Sequence, residues 1–271
     1  MDEIIYKGFK FIPEFNVKNL SKDKLYIIRN PNIQELKDYT VPIIQNEDNV
    51  EELFSKTLYS YHEVKAYEKL KGLNVAPEMK GISKIQGCYV IHLEKMEPLK
   101  HYQVNNKIIK SLITKVEKMH SAGIIHRDLR MNNLLYKKGD VFICDFEDKG
   151  YSPEWAAPEV LEKLEFSIES DIYSLGCTIY EMITNKRPWN NDEEFESKVI
   201  NKNFSSLLSE IELCEKNQKH SNLIKNIIHD CLYKRCVERK NLDLLADAIT
   251  KTHYTCATVK EKEEDVRELP H

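Results

Sequence analysis

Residues 124–135 read IIHRDLRMNNLL, and three side chains within this stretch could do chemistry at close quarters. Asp128 carries a carboxylate that can accept the proton of an attacking hydroxyl. Asn133, five positions on, carries an amide oxygen, a neutral ligand for a hard cation such as Mg²⁺. Arg130 lies between them as a permanently charged group. Apolar pairs on either side, Ile124-Ile125 and Leu134-Leu135, lead into and out of the loop. A little further on, the apolar run VFICDFE at 141–147 ends in Asp145-Phe146, so a strand delivers a second carboxylate.

The His126-Arg127-Asp128 triplet followed by Asn133 resembles the catalytic loop of the eukaryotic protein kinases. Other segments in the family's order extend the resemblance over roughly residues 60–250. Asp145-Phe146 is similar to the start of the DFG motif. SPEWAAPE at 152–159 contains Ala157-Pro158-Glu159, the APE motif, and DIYSLG at 171–176 resembles the helix whose buried Asp receives backbone N–H groups from the catalytic loop. The resemblance implies ATP and Mg²⁺ as cofactors and protein as substrate. It makes Asp128 the base and Asn133 and Asp145 the Mg²⁺ ligands. Arg130 stands where the family usually keeps a Lys that neutralises the transferred phosphoryl group. His126 then reads as a packed structural residue, because Asp128 takes the proton. Glu63 is the choice for the helix Glu that pairs with the nucleotide-gripping strand Lys, with Glu68 as rival; a solvated helix Glu explains either equally well. Leu93 resembles the gatekeeper, and the backbone from Glu94 to Met96 the adenine-binding hinge, although core packing accounts for this apolar run too. Arg239 stands where the family pairs an Arg with the APE Glu, here Glu159; a surface Arg is the other reading.

The N-terminal part departs from the pattern. Gly8 is the one glycine before residue 72, so no GxGxxG cover precedes Glu63. No VAIK is evident: if KLYIIR is the relevant strand, Arg29 holds the Lys position with a long insertion before Glu63, and if YTVPIIQ is, Gln45 holds it. Glu147 replaces the DFG glycine, which adds negative charge near the nucleotide. Asp145 to Glu159 spans only fifteen residues, with Tyr151 and Ser152 as its hydroxyls, so a loop-phosphorylation switch is not expected. Ser152 aligns with a Thr of Ser/Thr kinases, whereas Arg130 and Trp155 also fit Tyr kinases. The expected function is transfer of the ATP γ-phosphoryl group to Ser or Thr of proteins. The alternative is a pseudokinase that binds or scaffolds. A small-molecule kinase of the aminoglycoside or choline type shares the Asp-Asn chemistry but not the APE-like and DIYSLG-like segments.

The elements that must position these groups are legible in outline. IIYKGFKFI and KLYIIR suggest a small antiparallel sheet, and CYVIHLEKM at 88–96 a buried strand. Helical spacing appears over 59–71 and in NNKIIKSLITKVEKMH, where Ile108, Ile109, Leu112, Ile113, Val116 and Met119 form one face and Gly123 stops the helix. SDIYSLGCTIYEMI reads as another helix, with more near 205–213, 221–233 and 241–251. Strands first and helices later give an α+β, bilobal kinase-like fold: a small β-rich lobe over 1–97, a larger helical lobe over 98–254, and a charged, disordered tail over 255–271.

Composition bounds the rest. The 271 residues, 41% hydrophobic and 31% charged, suit a globular chain with a substantial core, and 8 Gly and 9 Pro exclude collagen-like classes. Forty basic against forty-four acidic residues leave a charge of -4, so no global basic field suggests nucleic acid or an anionic membrane. No run approaches eighteen apolar residues, and the N-terminus has no secretory apolar region. Seven scattered cysteines without a CxxC pair read as free thiols of a cytosolic or nuclear protein. Oligomeric state has no signature in the sequence.

Overall fold

The computed structural model describes residues 4–6, 9–11, 53–58, 60–85, 88–147, 150–190, 192–214 and 218–233. Arg29, Gln45, Arg239, the segments KLYIIR and YTVPII, the helix expected over 241–251 and the tail 255–271 lie outside the described residues.

Strands dominate the N-terminal part. β1 (Ile4–Tyr6) and β2 (Phe9–Phe11) pair antiparallel, with Ile4 opposite Phe11. β3 (Leu53–Thr57), β4 (Met79–Ile85) and β5 (Cys88–Glu94) form an antiparallel sheet in the order β3-β5-β4, with β5 central. Centrality explains the unbroken apolar character of β5: Tyr89, Val90, Ile91 and Leu93 are all buried. Opposite Ile91 in the register stands Lys56 of β3. His92, also buried, bonds through Nδ1 with the Ser55 hydroxyl at 2.8 Å, and burial pushes its imidazole down to about 4.

A folded-state value below the ordinary 6.5 means that the unfolded chain binds the proton more tightly, so stability from His92 is full above about pH 6.5 and is lost as pH falls toward 4. Denaturant titrations at neutral pH and near the lower value should differ by up to about 3 kcal/mol more in the wild type than in His92→Gln. An equal pH dependence in the two proteins would remove His92 as the cause.

Helix α1 (Tyr61–Lys69) starts where the Ser60 hydroxyl accepts the His62 N–H at 3.1 Å, and it buries Glu63, Val64, Ala66 and Tyr67 along one face. After β6 (Glu97–Pro98), α2 (Asn106–Ser121) is capped by Asn105 and buries the six apolar residues of the expected face. Gly123 follows its end at φ 72°, a conformation that costs glycine little. β7 (Leu134–Lys137) and β8 (Asp140–Ile143) complete the sheet β6-β7-β8. Helices make up the remainder: α3 (Pro158–Lys163), α4 (Ile168–Thr184), α5 (Phe195–Ile200), α6 (Ser205–Cys214) and α7 (Gln218–Tyr233).

α4 is the buried axis of this part. Ser167 and Ser170 cap it reciprocally, and Asn185 ends it in the left-handed region. Gly176 lets α7 come close, since a Cβ there would sit 2.6 Å from Cys231 Cβ. A side chain at this point would force the two helices apart, an overpacking that costs about 1–3 kcal/mol. One continuous apolar core runs from Leu58 through α1, α2 and α4 to Leu232. Cys144, Cys177 and Cys231 are free thiols. No helix among the described residues is long and apolar enough to cross a membrane.

Candidate active site

The loop that carries Asp128 hangs from α4. Asp171, Ser174, Thr178 and Glu181 recur three, four and three residues apart, so they share one face of that helix. The wholly buried Asp171 accepts the His126 N–H at 2.7 Å on one oxygen and the Arg127 N–H at 2.8 Å on the other, and His120 Nε2 lies 3.0 Å away. Thr178 donates to the Leu129 carbonyl at 3.0 Å and Ser174 to the Trp155 carbonyl at 2.8 Å. Glu181 accepts from the Met131 N–H and from the Trp155 indole, each at 3.2 Å. Burial pushes the Glu181 carboxyl up against these bonds. Arg127 takes a φ of 74°, unfavourable for an L residue, and the bond from its N–H to Asp171 holds it there.

Within the loop, Asp128 and Asn133 meet. Asn133 donates through Nδ2 to the Asp128 carbonyl at 2.8 Å and to its carboxylate at 3.1 Å, which leaves its side-chain oxygen as a neutral donor for a cation. The other Asp128 oxygen accepts the Ser152 N–H at 2.9 Å. Arg130 donates to the Ser152 hydroxyl at 2.5 Å and lies over the Trp155 ring at 4.9 Å, so Asp128, Arg130 and the segment from 152 to 155 form one unit. Both ring nitrogens of the buried His126 are engaged: Nε2 bonds to the Cys144 carbonyl at 3.0 Å and Nδ1 accepts the Asp128 N–H at 3.3 Å. These contacts pack it between the Asp128 loop and the end of β8.

Facing this loop stands Asp145 at the end of β8, with a φ of 72°. Its N–H donates to the Tyr67 hydroxyl at 3.4 Å. Phe146 points inward, its ring 5.2 Å from Tyr67 edge-on and 5.2 Å from His126, so α1, the end of β8 and the Asp128 loop are joined by three contacting rings. Cys144, beside Asp145, has its thiol pushed up to about 12 by burial and by the Asp145 charge.

The strongest electrostatic feature is a residue that sequence reasoning passes over. Lys56 Nζ lies 2.7 Å from Glu63, also bonds Asp145, and is 3.4 Å from Glu147. The structure therefore sets Lys56 of β3 against Glu63, where the sequence suggested Arg29 or Gln45. No long insertion separates the cation from its helix, since Lys56 is seven positions before Glu63. A lysine in a short β-prone run directly ahead of a capped helix was the available signal. Burial draws the Lys56 ammonium down, but Glu63 and Asp145 outweigh it and hold the group above its ordinary value. Burial, with help from Asp145 and Glu147 and against the pull of Lys56, pushes the Glu63 carboxyl up to about 7. Glu68, the rival, lines a cavity of about 660 Å³ together with Glu94 and Met96; Lys56, Asp128, Asn133 and Asp145 are not among its lining residues. Leu93 is buried, and Glu94 ends β5 with an ion pair to Lys137.

A lysine faced by Glu63, Asp145 and Glu147 thus stands beside an acid-amide pair on a strained loop, and the protein kinase domain family model matches residues 88–254. The chain belongs to the protein kinase family. Relatives of this kinase-family chain include the serine/threonine-protein kinase BCK1/SLK1/SSP31 of Saccharomyces cerevisiae, 29% identical over 69% of the chain and 14% of the yeast protein. The probable serine/threonine-protein kinase samkB of Dictyostelium discoideum is 35% identical over 33% of the chain and 18% of its own length. Mitogen-activated protein kinase kinase kinase 3 of Arabidopsis thaliana is 34% identical over 34% of the chain and 16% of its own length. The chain spans less than a fifth of each of these three relatives. The kinase match begins at β5, after the region whose glycine and lysine pattern departs from the family's.

Proposed function

We propose that the chain is an active protein kinase that transfers the ATP γ-phosphoryl group to Ser or Thr hydroxyls of protein substrates. The observation that carries this reading is Lys56, paired at once with buried Glu63 and with Asp145, because a lysine so held is a positioned cation for nucleotide phosphates. The donor set fits Mg²⁺: the Asp145 carboxylate, about two-fifths exposed, and the remaining oxygen of Asn133 are hard oxygen ligands. Mg²⁺ held there would neutralise charge on the nucleotide phosphates.

In this reading Asp128 accepts the hydroxyl proton as the substrate oxygen forms its bond to phosphorus and the bond to the ADP oxygen breaks. Arg130 is the cation nearest the transferred group, Glu94 to Met96 supply backbone to the adenine, and Glu63 keeps Lys56 in place. Ser152, tied to both Asp128 and Arg130, supports Ser/Thr over Tyr as acceptor. The kinase names of the relatives support protein substrates. The lobe boundary near residue 98 and a cytoplasmic or nuclear location belong to the same proposal.

The test is incubation of the purified protein with Mg²⁺, γ-labelled ATP and a generic protein substrate, with the phosphorylated residue type identified. Label on Ser or Thr, absent with Asp128→Asn, is the expected result. Nucleotide binding without any transfer, autophosphorylation included, would favour the pseudokinase reading.

A further inference from the structure

Glu147 stands where the DFG pattern has a glycine, and it does not stand idle. Asp145 and Glu147 flank Phe146, whose ring is buried between Tyr67 and His126, and both acids reach the same Lys56 ammonium. One cation thus faces three carboxylates. Their situations differ. Glu63 is fully buried on α1, and the backbone of Asp145 is tied to Tyr67. Glu147 is about a quarter exposed, makes the longest of the three contacts at 3.4 Å, and has no other hydrogen-bond or ion-pair partner among the described residues.

Building on the nucleotide reading above, we propose that Glu147 is an internal competitor of nucleotide phosphates for Lys56, displaced from the ammonium when a Mg²⁺-neutralised nucleotide binds. A phosphate that seeks Lys56 meets a surplus of negative charge, and of the three acids Glu147 gives way with the least disruption. Like-charge repulsion grows with the charge of the ligand, so the penalty falls hardest on free ATP, less on Mg²⁺-ATP, and not at all on adenosine. The site consequently selects for the metal-bound nucleotide.

Calorimetric titration of wild type, Glu147→Gln and Glu147→Gly with adenosine, with Mg²⁺-ATP and with ATP plus chelator tests this. Both variants should bind free ATP on the order of tenfold tighter and Mg²⁺-ATP several-fold tighter, with adenosine affinity unchanged, and the gain should shrink at high salt as screening takes over. Equal ATP affinity in wild type and Glu147→Gln would overturn the competitor role and leave the nucleotide reading intact. Weaker Mg²⁺-ATP binding in Glu147→Gln would overturn it as well, by making Glu147 a metal ligand, and a matching gain for adenosine would overturn it by removing the charge dependence. Failure of all three proteins to bind any of the ligands would overturn both readings. Adenosine binding reports an intact cleft in each variant, and if Glu147→Gly does not fold, the isosteric Glu147→Gln decides.

Discussion

Asp128→Asn should lower phosphoryl transfer by roughly a thousandfold while nucleotide affinity stays within about threefold of wild type. The substitution removes the proton acceptor, and the structure supplies a second reason for a large effect. One carboxylate oxygen accepts from Ser152 N–H and the other from Asn133 Nδ2. An amide at position 128 has one acceptor for these two donors, so either the segment carrying Ser152 loses its bond to residue 128 or Asn133 is left with its bond to the backbone carbonyl alone. Loss of turnover should therefore come with little loss of fold, because Asp171 and Thr178 still hold the loop through its backbone. Steady-state kinetics with label transfer, beside a thermal melt, is the measurement. Full turnover in this variant would mean that the proton goes elsewhere.

Lys56→Met should remove high-affinity binding of ATP and, with it, turnover, and it should also destabilise the protein in a pH-dependent way. Glu63 is fully buried and Lys56 is its one ion-pair partner among the described residues. Breaking such a pair leaves an uncompensated buried charge, a cost of about 3 kcal/mol. Glu63 already titrates at about 7, above its ordinary value, and loss of the ammonium moves it higher. An acid whose folded value is raised takes up its proton on folding, so its contribution to stability is full below its ordinary 4.5 and is lost as pH climbs from there through the folded value, which lies higher in the variant than in the wild type. The deficit relative to wild type should be small near about pH 6 and grow toward about pH 9. Lys56→Met combined with Glu63→Gln should recover stability without recovering ATP binding. Chemical denaturation across that range is the check, and a pH-independent deficit would show that packing, not charge, is lost.

How far these features could be read in advance depended on how much of the signal was local. Asp128, Asn133 and Asp145 stand in compact motifs whose spacing is fixed by a single loop and a single strand end, and the structure brings Asp128 and Asn133 into direct contact. The apolar faces of α1 and α2 follow a helical period, so Glu63 with Tyr67 and the row from Ile108 to Met119 were legible too. Lys56 was not, because its strand is five residues long, follows an acidic stretch and lacks flanking glycines. Its identity depends on partners seven and eighty-nine positions away. Glu181 was invisible for a similar reason: a glutamate in an apolar helix carries no mark of the two donors that it serves. Glu147 read only as a missing glycine, since a sequence does not say which cation an added carboxylate will find.

The polar stripe on α4 has a consequence for how the loop that carries Asp128 could lose its shape. The backbone amides of His126 and Arg127 point at an aspartate sealed within the molecule's central helix, so they cannot reach solvent by a private fluctuation of the loop. Exposure of those amides waits on the opening of the core around α4, the slowest kind of hydrogen exchange. The loop that carries Asp128 is thus among the last parts of the fold to soften, and a change that spares the core has to act on the other side, through Lys56 and the helix that holds its partner.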